Sequence, residues 1–141
     1  MTPEDRRLLG LLKANAREST ASIARKLGLS RTTVQERIRR LEKSGIITGY
    51  TVRIAEDSTR GILAAQVLLN VNAKQAERVV RDLKAMPSCA ALRAVSGAFD
   101  YVATIEAESP AELDRWLDRI GLLPGIERTQ TLIVLSTKFE R

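Results

Sequence analysis

Between Thr20 and Ser44 the chain reads TASIARKLGLSRTTVQERIRRLEKS, two short amphipathic segments hinged on a single glycine. Ile23, Ala24 and Leu27 form the apolar side of the first segment, and Gly28 suits the left-handed backbone that ends a helix. Ser30 is a favourable N-cap for the second, with Leu29 before it and Val34 four residues after it placed as a hydrophobic staple. Val34, Ile38 and Leu41 recur at helical spacing and face inward. The pattern predicts a helix-turn-helix over about residues 20–43, closed by Gly45.

The inward positions determine what points out. Ser30, Arg31, Thr32, Thr33, Gln35 and Glu36 lie early in the second helix, where such helices meet base edges. Arg39, Arg40 and Lys43 follow on the same face and suit phosphate contacts, which position a protein without reading sequence. Arg37, on the flank of the core, is expected to make an internal ion pair. Three short helices could also make a purely structural bundle, but outward arginines argue for double-stranded DNA as the partner.

Charge supports this. Residues 1–50 hold eleven Lys/Arg against five Asp/Glu, while residues 51–141 hold twelve of each, so the formal charge of +6 belongs to the first third. A basic segment beside a neutral one is the footprint of a polyanion binder.

Before the motif, Thr2 is placed to cap a first helix with Pro3 at its first position and Asp5 at the capping-box position. Leu8, Leu9, Leu11 and Leu12 give it a broad apolar face. After the motif, IITGYTVRI alternates enough for a strand pair or wing, with Ile46 and Ile47 expected to seal the base of the helix. Residues 54–61, including AEDSTRG, read as a linker between domains 1–53 and 62–141.

The remainder is periodic. A strand is expected over 62–71, then a helix capped by Asn72 with Gln75 at the capping-box position and Ala76, Val79, Val80 and Leu83 on its buried face. Met86-Pro87 stops it. Strands over 92–96 and 99–107 flank Gly97. Ser109, Pro110 and Glu112 open a second helix that buries Leu113, Trp116, Leu117 and Ile120, and a long strand is expected over 127–139. The order βαββαβ is a ferredoxin-like sandwich, so the fold class is α+β, a (winged) helix-turn-helix domain joined to that unit. Its strands carry apolar residues on both faces, which calls for a second subunit on the face without helices.

Catalytic chemistry is sparse. There is no histidine, no glycine-rich phosphate loop, and one cysteine, Cys89, expected to be a small buried residue. Asp114 and Asp118 alternate with Arg115 and Arg119 and read as a solvated helix surface. No enzyme activity, cofactor or metal is expected. With no apolar run long enough for a membrane span and no signal-peptide core, a cytoplasmic location is expected.

The stretch LGLSRTTVQERIRRLEKSGIITGYT (residues 27–51), together with Val95-Ser96-Gly97-Ala98-Phe99-Asp100-Tyr101, resembles the Lrp/AsnC family of transcription regulators, and the resemblance spans nearly the whole chain. It implies a DNA-binding N-terminal domain and a C-terminal domain for effector binding and assembly. It further implies a homodimer, commonly gathered into octamers or other discs, with a small-molecule effector, usually an amino acid, held between dimers. The implied effector site is Gly97, Ala98, Phe99, Asp100 and Tyr101 of the Gly-x-x-Asp hairpin, with Thr129 and Thr131 of the last strand. Backbone N–H groups at a glycine turn suit a carboxylate, and Asp100 suits an α-ammonium, although Asp100 could equally cap the turn. The resulting expectation is a sequence-specific DNA-binding regulator. The alternative is an architectural protein that wraps DNA with little specificity and no effector.

Overall fold

A computed structural model describes residues 1–55 and 61–141, so most of the expected linker lies outside the described residues. The chain divides into two compact units, Met1–Arg53 and Ile54–Arg141.

The first unit holds α1 (Pro3–Ala14), α2 (Thr20–Leu27) and α3 (Arg31–Lys43). Each starts at a side-chain cap. Thr2 and Asp5 exchange hydrogen bonds in a full capping box, Ser19 Oγ accepts from Ser22 N–H, and Ser30 Oγ accepts from Thr33 N–H. Gly28, at φ 68°, ends α2, with Leu29 N–H returning to the carbonyl of Ala24. Leu8, Leu12, Ile23, Ala24, Val34 and Leu41 form the core, with Leu29, Ile38 and Ile47 packed against it. Arg37 donates to Asp5 at 3.4 Å, the internal ion pair expected of it.

The expected wing is not formed. Residues 46–55 run as irregular backbone and form no strand among the described residues. Ile47 does seal α3, its N–H donating to the carbonyl of Leu41, but Ile46 is 47% exposed. Gly45, at φ 77°, turns the chain so that only one of the two adjacent isoleucines points inward.

The second unit is a four-stranded antiparallel sheet of β1 (Leu63–Val71), β2 (Cys89–Ala94), β3 (Tyr101–Ala107) and β4 (Ile126–Ile133), in the order β2-β3-β1-β4. Helices α4 (Ala76–Lys84) and α5 (Pro110–Gly121) pack on one face, over a core of Ala65, Val67, Leu69, Val79, Leu83, Ala103, Ile105, Leu113 and Ile120. This is the ferredoxin-like arrangement. β1 alternates strictly, with Ala65, Val67, Leu69 and Val71 buried under the helices. Ala64, Gln66, Leu68 and Asn70 are half-buried on the opposite, helix-free face, where Thr104 Oγ1 donates to Gln66 Oε1 at 3.1 Å.

Boundaries shift where tertiary pairing decides them. The Asn72 side chain accepts from Lys74 N–H while its carbonyl accepts from Gln75 N–H, so a 3₁₀ turn over Ala73–Gln75 precedes α4 and no Gln75 capping box forms. Val80 turns 38% to solvent because the face under the sheet is already filled by Val79 and Leu83. β2 begins at Cys89, since β3 supplies partners for its small residues. β3 begins two residues late because Asp100 N–H donates to Leu69 O on β1 at 2.8 Å, drawing the turn inward. β4 ends at Ile133, well short of Phe139. It pairs only with β1, and the last bond, from Val134 N–H to Ala64 O, reaches the start of that strand.

Candidate nucleic-acid interface and effector site

The exposed side of α3 carries Arg31, Thr32, Gln35, Glu36, Arg39, Arg40 and Lys43, all at the surface because Val34 and Leu41 hold the opposite side in the core. Four of the expected residues, Ser30, Thr33, Glu36 and Arg39, also interact locally. Thr33 is half-buried, and its hydroxyl and that of Ser30 lie 2.8 Å apart in one hydrogen bond while Ser30 also caps the helix. Glu36 Oε2 accepts from Arg39 at 3.0 Å, so one turn of the exposed face is internally neutralised. No ion pair is found for Arg31, Arg40 or Lys43 among the described residues. The backbone N–H of Thr2 holds the Asp5 carboxyl below its ordinary range, assisted by the Thr2 hydroxyl, Arg37 and Arg40 and opposed by burial.

In the second unit, Gly97 sits at φ 124°, a conformation suited to glycine, in an exposed turn with Ala98. Asp100 bridges the hairpin to the end of β1. Its Oδ2 accepts from Val71 N–H at 2.9 Å, its N–H donates to Leu69, and its carbonyl accepts from Val95 N–H at 3.0 Å. Register places Tyr101, Leu69 and Thr129 in one cross-strand row, and Ala103, Val67 and Thr131 in the next. Tyr101, Thr129 and Thr131 therefore share the helix-covered face with Leu69 and Val67; Thr131 lies opposite the middle of β1, while Asp100 is at the end of that strand. Gly97 and Ala98 stand apart at the tip. Phe99 stacks under Arg128, the guanidinium 4.9 Å from the ring centroid. Arg128 escaped the sequence reading. Its one signal was an arginine within a strand whose neighbouring positions were already marked.

Cys89 is half-buried; burial raises its thiol above the ordinary range, and its Sγ donates to the Ala91 carbonyl at 3.5 Å. Such a thiol stays protonated and unreactive at neutral pH. Among the described residues no group of acidic or sulfur side chains could hold a metal, and no helix is long and apolar enough to cross a membrane.

Comparison with known proteins agrees over both units. The AsnC-type helix-turn-helix domain matches residues 1–42, and the Lrp/AsnC ligand binding domain matches residues 64–141. The chain is 32% identical over 136 residues to HTH-type transcriptional regulator FL11 of Pyrococcus horikoshii, covering 96% of this chain and 90% of that one. It is 30% identical over 144 residues to the proline dehydrogenase transcriptional activator of Rhodobacter capsulatus, covering 97% and 92%. Among solved structures, the leucine response regulatory protein of Mycobacterium tuberculosis superposes with a TM-score of 0.85 at 29% identity, covering 99% and 96%. A Neisseria meningitidis regulator solved as a complex with L-Met shares the fold, with a TM-score of 0.86 at 19% identity over 99% and 93%. Fold and comparisons define a helix-turn-helix transcriptional regulator with a separate ligand-binding domain. The chain belongs to the Lrp/AsnC family.

Proposed function

We propose that this regulator binds specific DNA sites through the exposed side of α3 and that an amino acid at the hairpin end of the C-terminal unit modulates that binding. The carrying observation is the division of labour along α3. The inward residues are spent on the core, while Arg31, Thr32, Gln35 and Glu36 near the N-terminus and Arg40 and Lys43 further along remain outward. Ser30 and Thr33 contribute by fixing the start of the helix. Arg39 contributes to phosphate contact once it leaves Glu36.

For the effector, one Asp100 oxygen is held by Val71 N–H and the other faces an α-ammonium, while the Gly97–Ala98 turn supplies N–H groups for a carboxylate. Phe99, Tyr101 and Thr129 lie at the same end, with Thr131 one row further along the sheet, and Arg128 adds a cation beside Phe99. A homodimer completes the arrangement, and higher assemblies of dimers change the spacing of paired recognition helices when effector binds.

The test is a thermal-shift screen against the twenty amino acids, followed by DNA-binding titration over a salt series. A selective rise in Tm that disappears in Asp100→Ala supports the sensor. A flat screen with a low ratio of specific to non-specific DNA affinity would instead mark an architectural protein.

A further inference from the structure

Thr32, Glu36, Arg39 and Lys43 recur at helical spacing along α3, all exposed, on the side opposite buried Val34 and Leu41. Glu36 is the one acid on that line. Arg31, Arg39, Arg40 and Lys43 share its side of the helix and suit phosphates, and a carboxylate among them weakens the attraction of the whole surface for any duplex. Sequence-independent attraction therefore does not account for Glu36. Its place in the helix points to the other kind of contact. It is the sixth of thirteen residues, within the N-terminal half that meets base edges.

Arg39 shows how the carboxylate is carried in the free protein. Its Nη1 donates to Glu36 Oε2 at 3.0 Å, one turn along the helix. Both side chains are exposed, Arg39 by 72% and Glu36 by 58%, and a pair so open to water is weak and exchanges readily. With α3 in a major groove, the guanidinium turns to the phosphate backbone, where its planar donors match the anionic oxygens. The carboxylate it leaves has acceptors only, faces base edges and needs a donor there.

The major groove offers few donors. Guanine presents the N7 and O6 acceptors, and thymine presents the O4 acceptor and a methyl group. Adenine presents its N6 amino group beside the N7 acceptor, which repels a carboxylate. Cytosine presents its N4 amino group with no acceptor of its own beside it. A carboxylate taken from water and set against an acceptor is an unpaired charge, so pairs that do not present cytosine to Glu36 are penalised.

We propose that Glu36 is a base-reading residue that selects a C·G pair by accepting from the cytosine N4 amino group, and that its ion pair with Arg39 holds the carboxylate until a phosphate takes the guanidinium. The proposal rests on the docking of α3 in a major groove and adds to it the identity of one base pair in the site.

The test is selection from a library of duplexes with about two helical turns of randomised sequence, by the full chain and by its Glu36→Gln and Glu36→Ala variants. Wild type is then titrated at fixed salt, by fluorescence anisotropy, against the selected duplex and its single-pair variants. Wild type should enrich a motif with a C·G pair at one position, and replacing that pair should lower affinity about tenfold. Glu36→Gln should change the position to A·T, with adenine on the strand that carried cytosine, because a carboxamide accepts from N6 and donates to N7. Glu36→Ala should keep the rest of the motif, lose the preference at that position and bind non-specific duplex more tightly, since a negative charge is gone. Position 36 is exposed, so both variants should melt as wild type does. An unchanged motif in both variants, or a Glu36-dependent position that is not C·G in wild type, overturns the assignment; binding still weakened toward every sequence by Arg40→Ala shows in that case that the docking survives. No enriched motif for wild type, or wild-type binding by Arg40→Ala, overturns the docking and the proposal with it.

Discussion

Asp5 shows how much one side chain can organise. It accepts from Thr2 N–H, its own N–H donates to Thr2 Oγ1, and Arg37 reaches it from α3, so a helix cap and an interhelix tie share one carboxylate. Asp5→Asn should cost about 1–2 kcal/mol at neutral pH, the loss of a charged cap and of Arg37's partner. The folded state lowers the Asp5 pKa below 3.8, so this contribution is present above that value and disappears as pH falls through the folded-state value. Urea unfolding should therefore separate wild type and Asp5→Asn at pH 7 and show the gap closing in strong acid. Gly125 works by shape. At φ 98° its carbonyl accepts from Asn72 N–H, and a Cβ there would meet Gln75 Cβ at 2.8 Å and Val79 Cγ2 at 3.0 Å. Gly125→Ala combines a disfavoured backbone with a clash and should cost about 2–4 kcal/mol by thermal or urea unfolding, whereas exposed Gly97→Ala meets no atom within 4 Å and should cost less.

Among the elements, α3 carries the DNA prediction. Arg40→Ala should weaken binding to every sequence and reduce the salt slope by about one, because one phosphate contact is lost. Arg39→Ala removes a cation and also leaves Glu36 unpaired beside the DNA, so its loss should be larger than that of Arg40→Ala. Gln35→Ala should change base preference at one position with the salt slope retained. Equal affinities and slopes for wild type and Arg40→Ala in a filter-binding or anisotropy series would refute this docking. The helices themselves were legible in sequence because their signals are local. Caps at Thr2, Ser30 and Ser109 and the left-handed glycine at position 28 all act within a few residues. Strand ends were less legible because they depend on distant partners. Glu127–Phe139 has the composition of one strand, yet β4 stops where β1 no longer supplies hydrogen bonds.

Over the whole molecule, the helix-free face of the sheet is the surface proposed for the homodimer. Leu68, half-buried, lies there beside Gln66 and Asn70, with Val102 and Thr104 opposite on β3. In a homodimer covered through this face, Leu68→Lys should shift sedimentation toward monomer while far-ultraviolet circular dichroism and cooperative unfolding persist. An unchanged mass would locate the interface elsewhere.

Sequence alone determined the class of this protein. Helical and alternating periodicities, side-chain caps and the concentration of positive charge in residues 1–50 are short-range properties, and they sufficed for the βαββαβ order and the outward face of α3. Only the tertiary structure decided that Asp100 ties its hairpin to Val71, that Glu36 pairs with Arg39, and that Gly125 is needed for packing as well as turning. Each depends on residues brought together by strand register and helix packing. Register is a cooperative property of the whole sheet, so it is written in no single stretch of the chain.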